Sequence, residues 1–113
     1  MNDARLPAGI EVSALMRRAQ AQGDFATVLR KGDADRGAIL LVIASRGQTT
    51  AILERQLNAD GQYRWARVEP DSLGSGDFQR FVDKRVRFDE DSWVIELDVA
   101  ATERFIAETI SEG

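Results

Sequence analysis

Ala38-Ile39-Leu40-Leu41-Val42-Ile43-Ala44-Ser45 is the stretch that decides the fold. Its apolar run is too short for the ~18–20 residues of a membrane span. Successive strand residues point to opposite faces, so a run apolar at every position asks for cover on both sides. The reading is a central strand covered on both sides. Gly47 marks a tight connection after it. Thr49 to Gln56 then alternates and is rich in β-branched residues, a further strand. Asn58-Ala59-Asp60-Gly61 is a hairpin signal. Tyr63 to Val68 alternates, with Tyr63, Trp65 and Arg67 on one side.

Upstream, Phe25 to Lys31 reads as a strand, and Gly32-Asp33-Ala34-Asp35-Arg36-Gly37 is dense in turn formers. These four strands are expected to form a meander. Before them, Val12, Leu15, Met16 and Ala19 make a one-sided stripe on a helix from Ile10 to Gln22, stopped by Gly23. Residues 1–9 read as an extended or frayed end. Downstream, Pro70 ends the sheet and Asp77 caps a helix from Phe78 to about Phe88. Ser92 to Val99 alternates as a half-buried strand, with Trp93, Ile95, Leu97 and Val99 inward. Ala100 to Ser111 closes the chain as a helix with Phe105, Ile106 and Ile110 inward. The order α-β-β-β-β-α-β-α defines an α+β domain, an antiparallel meander of four to five strands packed with three helices. Leu40, Val42, Trp93, Ile95, Phe81 and Phe105 are expected to share one core.

With 113 residues, 43% hydrophobic and 30% charged, the chain fits one domain over residues 1–113. It has neither Cys nor His. That removes disulfides, thiol nucleophiles, Cys-type zinc sites and Ser-His-Asp machinery. No phosphate-loop motif is present, and Leu73-Gly74-Ser75-Gly76-Asp77 holds a lone G-x-G that reads as a flexible loop. The first residues show no basic stretch leading into an apolar one, so the expected home is the cytoplasm. Net charge is −4. Residues 1–68 carry +3 and residues 69–113 carry −7. An acidic whole makes nucleic acid an unfavoured partner. Pairing between the two oppositely charged segments is the expected fate of much of this charge.

Four groups of residues could carry binding. Asp89, Glu90 and Asp91 stand together before Ser92-Trp93. Oxygen-only clusters suit Mg²⁺ or Ca²⁺, but adjacent side chains diverge, so a structural turn with pairing to Arg85 or Arg87 is the expectation and no metal is assigned. Asp33 and Asp35 begin a Ca²⁺-loop pattern that fails at its twelfth position, Ala44, leaving a solvated turn. Arg17, Arg18, Arg30, Lys31, Arg64 and Arg67 could form a basic face. Tyr63, Trp65 and Trp93 are either core or an exposed stripe. The candidate binding residues are therefore Arg17, Arg18, Arg64, Trp65, Arg87, Asp89, Asp91 and Trp93. No catalytic residue and no cofactor is assigned.

Several segments resemble one family. They are Val12 to Gln20 (VSALMRRAQ), Gly23 to Ala38 (GDFATVLRKGDADRGA), Arg64-Trp65, and Arg87 to Asp98 (RFDEDSWVIELD). The last looks like the R-F-D-x-D-x-W-V-x-E signature of domain of unknown function family 1491, short alphaproteobacterial proteins. Family members often carry an aromatic just before the V-S-A segment, where this chain has Glu11. The resemblance covers nearly the whole chain and implies a single bacterial cytoplasmic domain with no assigned activity. The leading functional expectation is a small accessory or protein-interaction domain without catalytic machinery. The alternative is a small-ligand or divalent-metal binder, or weak hydrolase, using Asp89, Glu90, Asp91 and nearby Arg residues. Self-association as a homodimer, or binding of another protein, is expected through a sheet edge. Phe25 to Lys31 and Ser92 to Val99 are the candidate edges, with Arg30 and Lys31 complementing Glu96 and Asp98.

Overall fold

In the computed structural model, which describes residues 6–68 and 78–112, the order is α1 (Ala8–Ala21), β1 (Phe25–Arg30), β2 (Ile39–Ser45), β3 (Gln48–Leu57), β4 (Tyr63–Arg67), α2 (Phe78–Phe88), β5 (Trp93–Asp98) and α3 (Thr102–Glu112). The α+β class and the element order are as expected from the sequence. Helix α1 starts at Ala8, inside the stretch read as frayed. The proposed Asp77 cap, Pro70 and the G-x-G loop lie outside the described residues.

The strand order corrects the meander. It runs β1-β5-β2-β3-β4, so β5 separates β1 from β2. Strand β5 is antiparallel to β1 but parallel to β2, which makes the sheet mixed. Only β2, β3 and β4 form a true meander. Ser92 to Val99 is thus not an edge, and its two neighbours both come from its own chain. Of the expected complement to Arg30, Asp98 lies at the other end of the ladder, opposite Phe25, whereas Glu96 lines the same groove as Arg30. The Asp98 carboxylate instead accepts the backbone N–H groups of Arg46 and Gly47, at 3.0 and 2.7 Å, in the β2–β3 turn.

Burial of β2 on both faces holds as expected, from Ile39 at 7% exposed to Ile43 and Ala44 at 0%. The two faces build two cores rather than one. Ile39, Leu41 and Ile43 join Leu53, Trp65, Trp93, Ile95, Leu97, Phe105 and Ile106 under α1 and α3. Leu40 and Val42 join Ile52, Val68 and Val94 under Phe78, Phe81, Val82 and Val86 of α2. Phe81 and Phe105 therefore belong to different cores. The reason is topological: a helix stripe specifies that one side is buried, not which face of the sheet buries it.

The segment joining β1 to β2 must cross the start of β5, and it does so backbone against backbone. A Cβ on Gly32 would stand 2.1 Å from the Asp91 carbonyl oxygen, and one on Gly37 would stand 2.2 Å from the same atom. The approach is fastened by Asp33 N–H to the Asp91 carbonyl at 2.9 Å, Trp93 N–H to the Ala38 carbonyl at 2.7 Å, and Trp93 Nε1–H to the Asp33 carbonyl at 2.8 Å. The Asp33 carboxylate accepts the amides of Asp35 and Arg36, at 2.8 and 2.9 Å, closing the turn. Two sequence segments that looked like separate signatures, GDADRG and FDEDSW, are one joint.

Candidate interaction surface

Strand β1 ends the sheet. It is launched by a helix stop of the Schellman type: Gly23, at φ 83°, donates to the Gln20 carbonyl at 3.0 Å and Asp24 donates to that of Ala19 at 3.0 Å. Phe25, Thr27 and Val28 suit an extended backbone. The ladder to β5 is regular from Phe25 to Val28 and then bulges before Arg30. Such a bulge adds one residue and bends the strand, and here it brings both Leu29 and Arg30 to the α2 side. Ala26 faces the α1 core. The other apolar residues stand out: Phe25 is 74% exposed, Leu29 53% and Val28 40%.

Beside β1 runs a groove of ≈ 850 Å³ between α2 and the sheet. Val42 and Val94 line it from the sheet, Phe78, Val82 and Val86 from the helix, and Leu29 from β1. Arg30, Arg87, Asp83 and Glu96 supply its charge. Helix α2 has no fully buried residue. Arg85 ties it to β3 by bonding Glu54 at 3.0 Å, and lies over the Phe81 ring of the same helix. Among the described residues, the β5–β1 side of this face is left open.

A second, smaller cleft of ≈ 250 Å³ lies between α1, α3 and the sheet. Arg55 stacks over Trp65, 4.7 Å from the ring centroid, and pairs with Glu11. Arg18 lies 4.3 Å over the Phe105 ring and donates to the Thr109 hydroxyl. Thr109 in turn donates to the Phe105 carbonyl at 2.8 Å. Arg18 and Trp65 are thus brought together, with Arg55, which sequence reasoning did not single out. Strand parity could have found it, since Arg55 follows Ala51 and Leu53 on the inward face, where a guanidinium needs partners.

The remaining candidates are dispersed. Arg17 is exposed on α1, its Nε–H directed at the Ser13 carbonyl. Arg64 binds Asp60 at 2.6 Å within the β3–β4 hairpin, and this bond holds the Asp60 carboxyl below its usual range. Arg67 pairs with Glu103 at 2.9 Å and lowers that carboxyl likewise. This pair does join the two oppositely charged segments, whereas Arg55 and Arg64 find acids within residues 1–68. Arg64 and Arg67 stand an odd number of positions apart along one strand and so face opposite sides, which splits the expected basic face. Arg87 lines the β1 groove. Trp65 and Trp93 are buried, at 5% and 6% exposed. The Asp89 carboxylate accepts the Asp91 N–H at 3.0 Å. Arg30 bonds the Glu90 carbonyl at 3.0 Å, so this turn works through its backbone. Among the described residues no group of three or more acids is placed to hold a metal ion.

Fold and surface define a class: a small α+β domain with a mixed five-stranded sheet, two helices on one face and one on the other. The chain belongs to the family described as "Protein of unknown function (DUF1491)", whose model matches residues 6–107. It is similar to a crystal structure of a DUF1491 family protein from Caulobacter crescentus, at 35% identity and TM-score 0.76, covering 89% of this chain and 94% of that one. An NMR structure of a family protein from the same organism gives 34% identity and TM-score 0.68, covering 88% and 91%. A solution structure of an A. tumefaciens protein gives 26% identity and TM-score 0.68, covering 90% and 92%. No curated protein matches the chain. No described helix is long and apolar enough to cross a membrane.

Proposed function

We propose that this chain is a non-catalytic protein-interaction domain, one unit over its 113 residues, whose working surface is the free edge of β1 with the groove beside it. One observation carries the reading. Strand β1 closes the sheet on one side, yet Phe25, Val28 and Leu29 are exposed on it. Natural edge strands are commonly blunted by charge, proline or cover, because open N–H and C=O groups pair with other chains. Here the charge is confined to one end, at Arg30 and Lys31. Strand addition draws affinity from main-chain hydrogen bonds and selectivity from alternate side chains. An open groove lined by Leu29 gives such side chains a place to go. The Asp89–Asp91 alternative has less support, since the Asp89 carboxylate and the Glu90 and Asp91 carbonyls are engaged in holding the joint.

A bacterial, cytoplasmic setting belongs to the same proposal, and fractionation of the native cell tests it. The surface is tested by capture from native extract with the parent chain and with Leu29→Lys and Val28→Lys. A lysine on the edge should remove the bound protein while leaving the melting temperature unchanged. Retention of the same bound set by both variants refutes the edge as the working surface.

A further inference from the structure

We propose that the strand seated on β1 is β1 of a second copy, antiparallel across a two-fold axis through Thr27; this rests on β1 being the working edge. Directly opposed residues of an antiparallel pair lie on the same face of the sheet. A strand that pairs with itself about a residue therefore couples positions equidistant from that residue. About Thr27, Ala26 meets Val28 and Phe25 meets Leu29, while Asp24 comes within reach of Arg30. Small meets β-branched, aromatic meets aliphatic, and acid meets base, each twice by symmetry. Moving the axis by one residue destroys the match. About Ala26, Asp24 falls on Val28 and Phe25 on Thr27. About Val28, Phe25 falls on Lys31 and Ala26 on Arg30.

The register also accounts for the most exposed large apolar residue of the strand. Phe25 is 74% exposed and on the α2 face, across the ladder from Asp98. In the pair it lies against the second copy's Leu29, at the mouth of the groove that Leu29 lines. The bulge assists, because it turns Leu29 toward that same side. Two five-stranded sheets become one continuous sheet. Closed two-fold dimers are the commonest oligomers and require this kind of self-complementary patch.

The absence of cysteine makes a clean test possible. Opposed Cα atoms in an antiparallel pair stand about 4.5–5.5 Å apart, within the disulfide range of about 4.4–6.8 Å. Thr27→Cys should cross-link to a dimer rapidly under mild oxidation. Phe25→Cys, displaced from the axis by two residues in each copy, should not, although its side chain is 74% exposed. The parent should run as a dimer by light scattering at high micromolar concentration. Arg30→Glu should weaken that dimer about tenfold, less at high salt. Circular dichroism of each variant checks folding. A parent that is monomeric at high micromolar concentration overturns the second copy, as does cross-linking of Phe25→Cys as fast as Thr27→Cys. If Leu29→Lys still abolishes capture of another protein, the edge reading survives that failure; if it does not, both fall.

Discussion

Replacing Gly37 by alanine tests the joint that sets the strand order. The new Cβ would stand 2.2 Å from the Asp91 carbonyl oxygen, 2.8 Å from Trp93 Cδ1 and 3.0 Å from the Asp33 carbonyl oxygen, where ordinary contact begins at 3.4 Å. Two of these atoms are backbone, so no flexible side chain can swing aside. The loop must retreat by over an ångström, and the bonds it makes at 2.8–2.9 Å cannot follow. Losing Asp33 N–H to Asp91 and Trp93 Nε1–H to Asp33 costs about 1 kcal/mol each, and leaving the indole N–H of a buried tryptophan unpaired adds about 1–3 kcal/mol. Relief of the remaining overlap costs about 1–3 kcal/mol. Because retreat relieves overlap at the expense of bonds, the terms substitute for one another, and about 3–5 kcal/mol is expected. In a domain of this size each kcal/mol lowers the melting midpoint by about 4 °C, so a fall of about 12 °C or more should follow. Urea and thermal melts followed by tryptophan fluorescence measure it. Gly9→Ala is the control: its Cβ would meet nothing closer than 3.5 Å, and it lies within α1, so it should leave stability unchanged or raise it by up to about 1 kcal/mol. A Gly37→Ala midpoint within about 2 °C of the parent would refute the close approach as the fastening of the fold.

Leu40→Ala and Phe105→Ala should each cost about 2–5 kcal/mol, and the double variant should be additive within about 0.5 kcal/mol because they serve opposite faces of the sheet; strong coupling in urea melts would argue for one shared core. Asp89→Ala should lower stability by about 0.5–2 kcal/mol through the lost bond to Asp91 N–H, and more than Asp91→Asn, whose carbonyl is kept. Calorimetric titration with Mg²⁺, Ca²⁺ or Mn²⁺ should be flat for the parent; a saturable isotherm lost in Asp91→Asn would restore the metal reading. The Asp33 carboxyl is held below its ordinary 3.8 by the amides of Arg36 and Asp35. A lowered folded value means its contribution is present above the unfolded value and is lost as pH falls through the folded one. Asp33→Asn should therefore flatten part of the stability decline below about pH 4 in melts at stepped pH; an unchanged acid limb would remove Asp33 from it.

Local pattern made most of the elements legible, because a period of two or of 3.6 is a property of neighbours along the chain. The eight unbroken apolar and small residues from Ala38 required a strand covered on both faces, and the structure has one. The stripes of α1 and α2 could be read for the same reason, whereas on α3 Phe105 and Ile106 are buried as expected but Ile110, expected inward, is 38% exposed and Thr109 is buried instead. Composition alone removed cysteine and histidine chemistry. The candidate surface was half legible: Phe25 to Lys31 was visible as an edge strand, while Leu29 reaches the groove through a bulge that no periodicity announces.

What only the tertiary structure decided is adjacency. Strand β2 buries its faces equally well beside β1 or beside β5, so its own sequence is silent on the choice. The choice lies in a crossing over 50 residues apart in sequence, where Gly32 and Gly37 leave room for the Asp91 carbonyl and Trp93 reaches back to Asp33. The same holds for the faces. An apolar stripe on a helix is one-sided by chemistry, but the side of the sheet it meets is set by connection lengths and by what already occupies the other side. Sequence pattern fixes what must be buried; the closing of long-range contacts fixes against what.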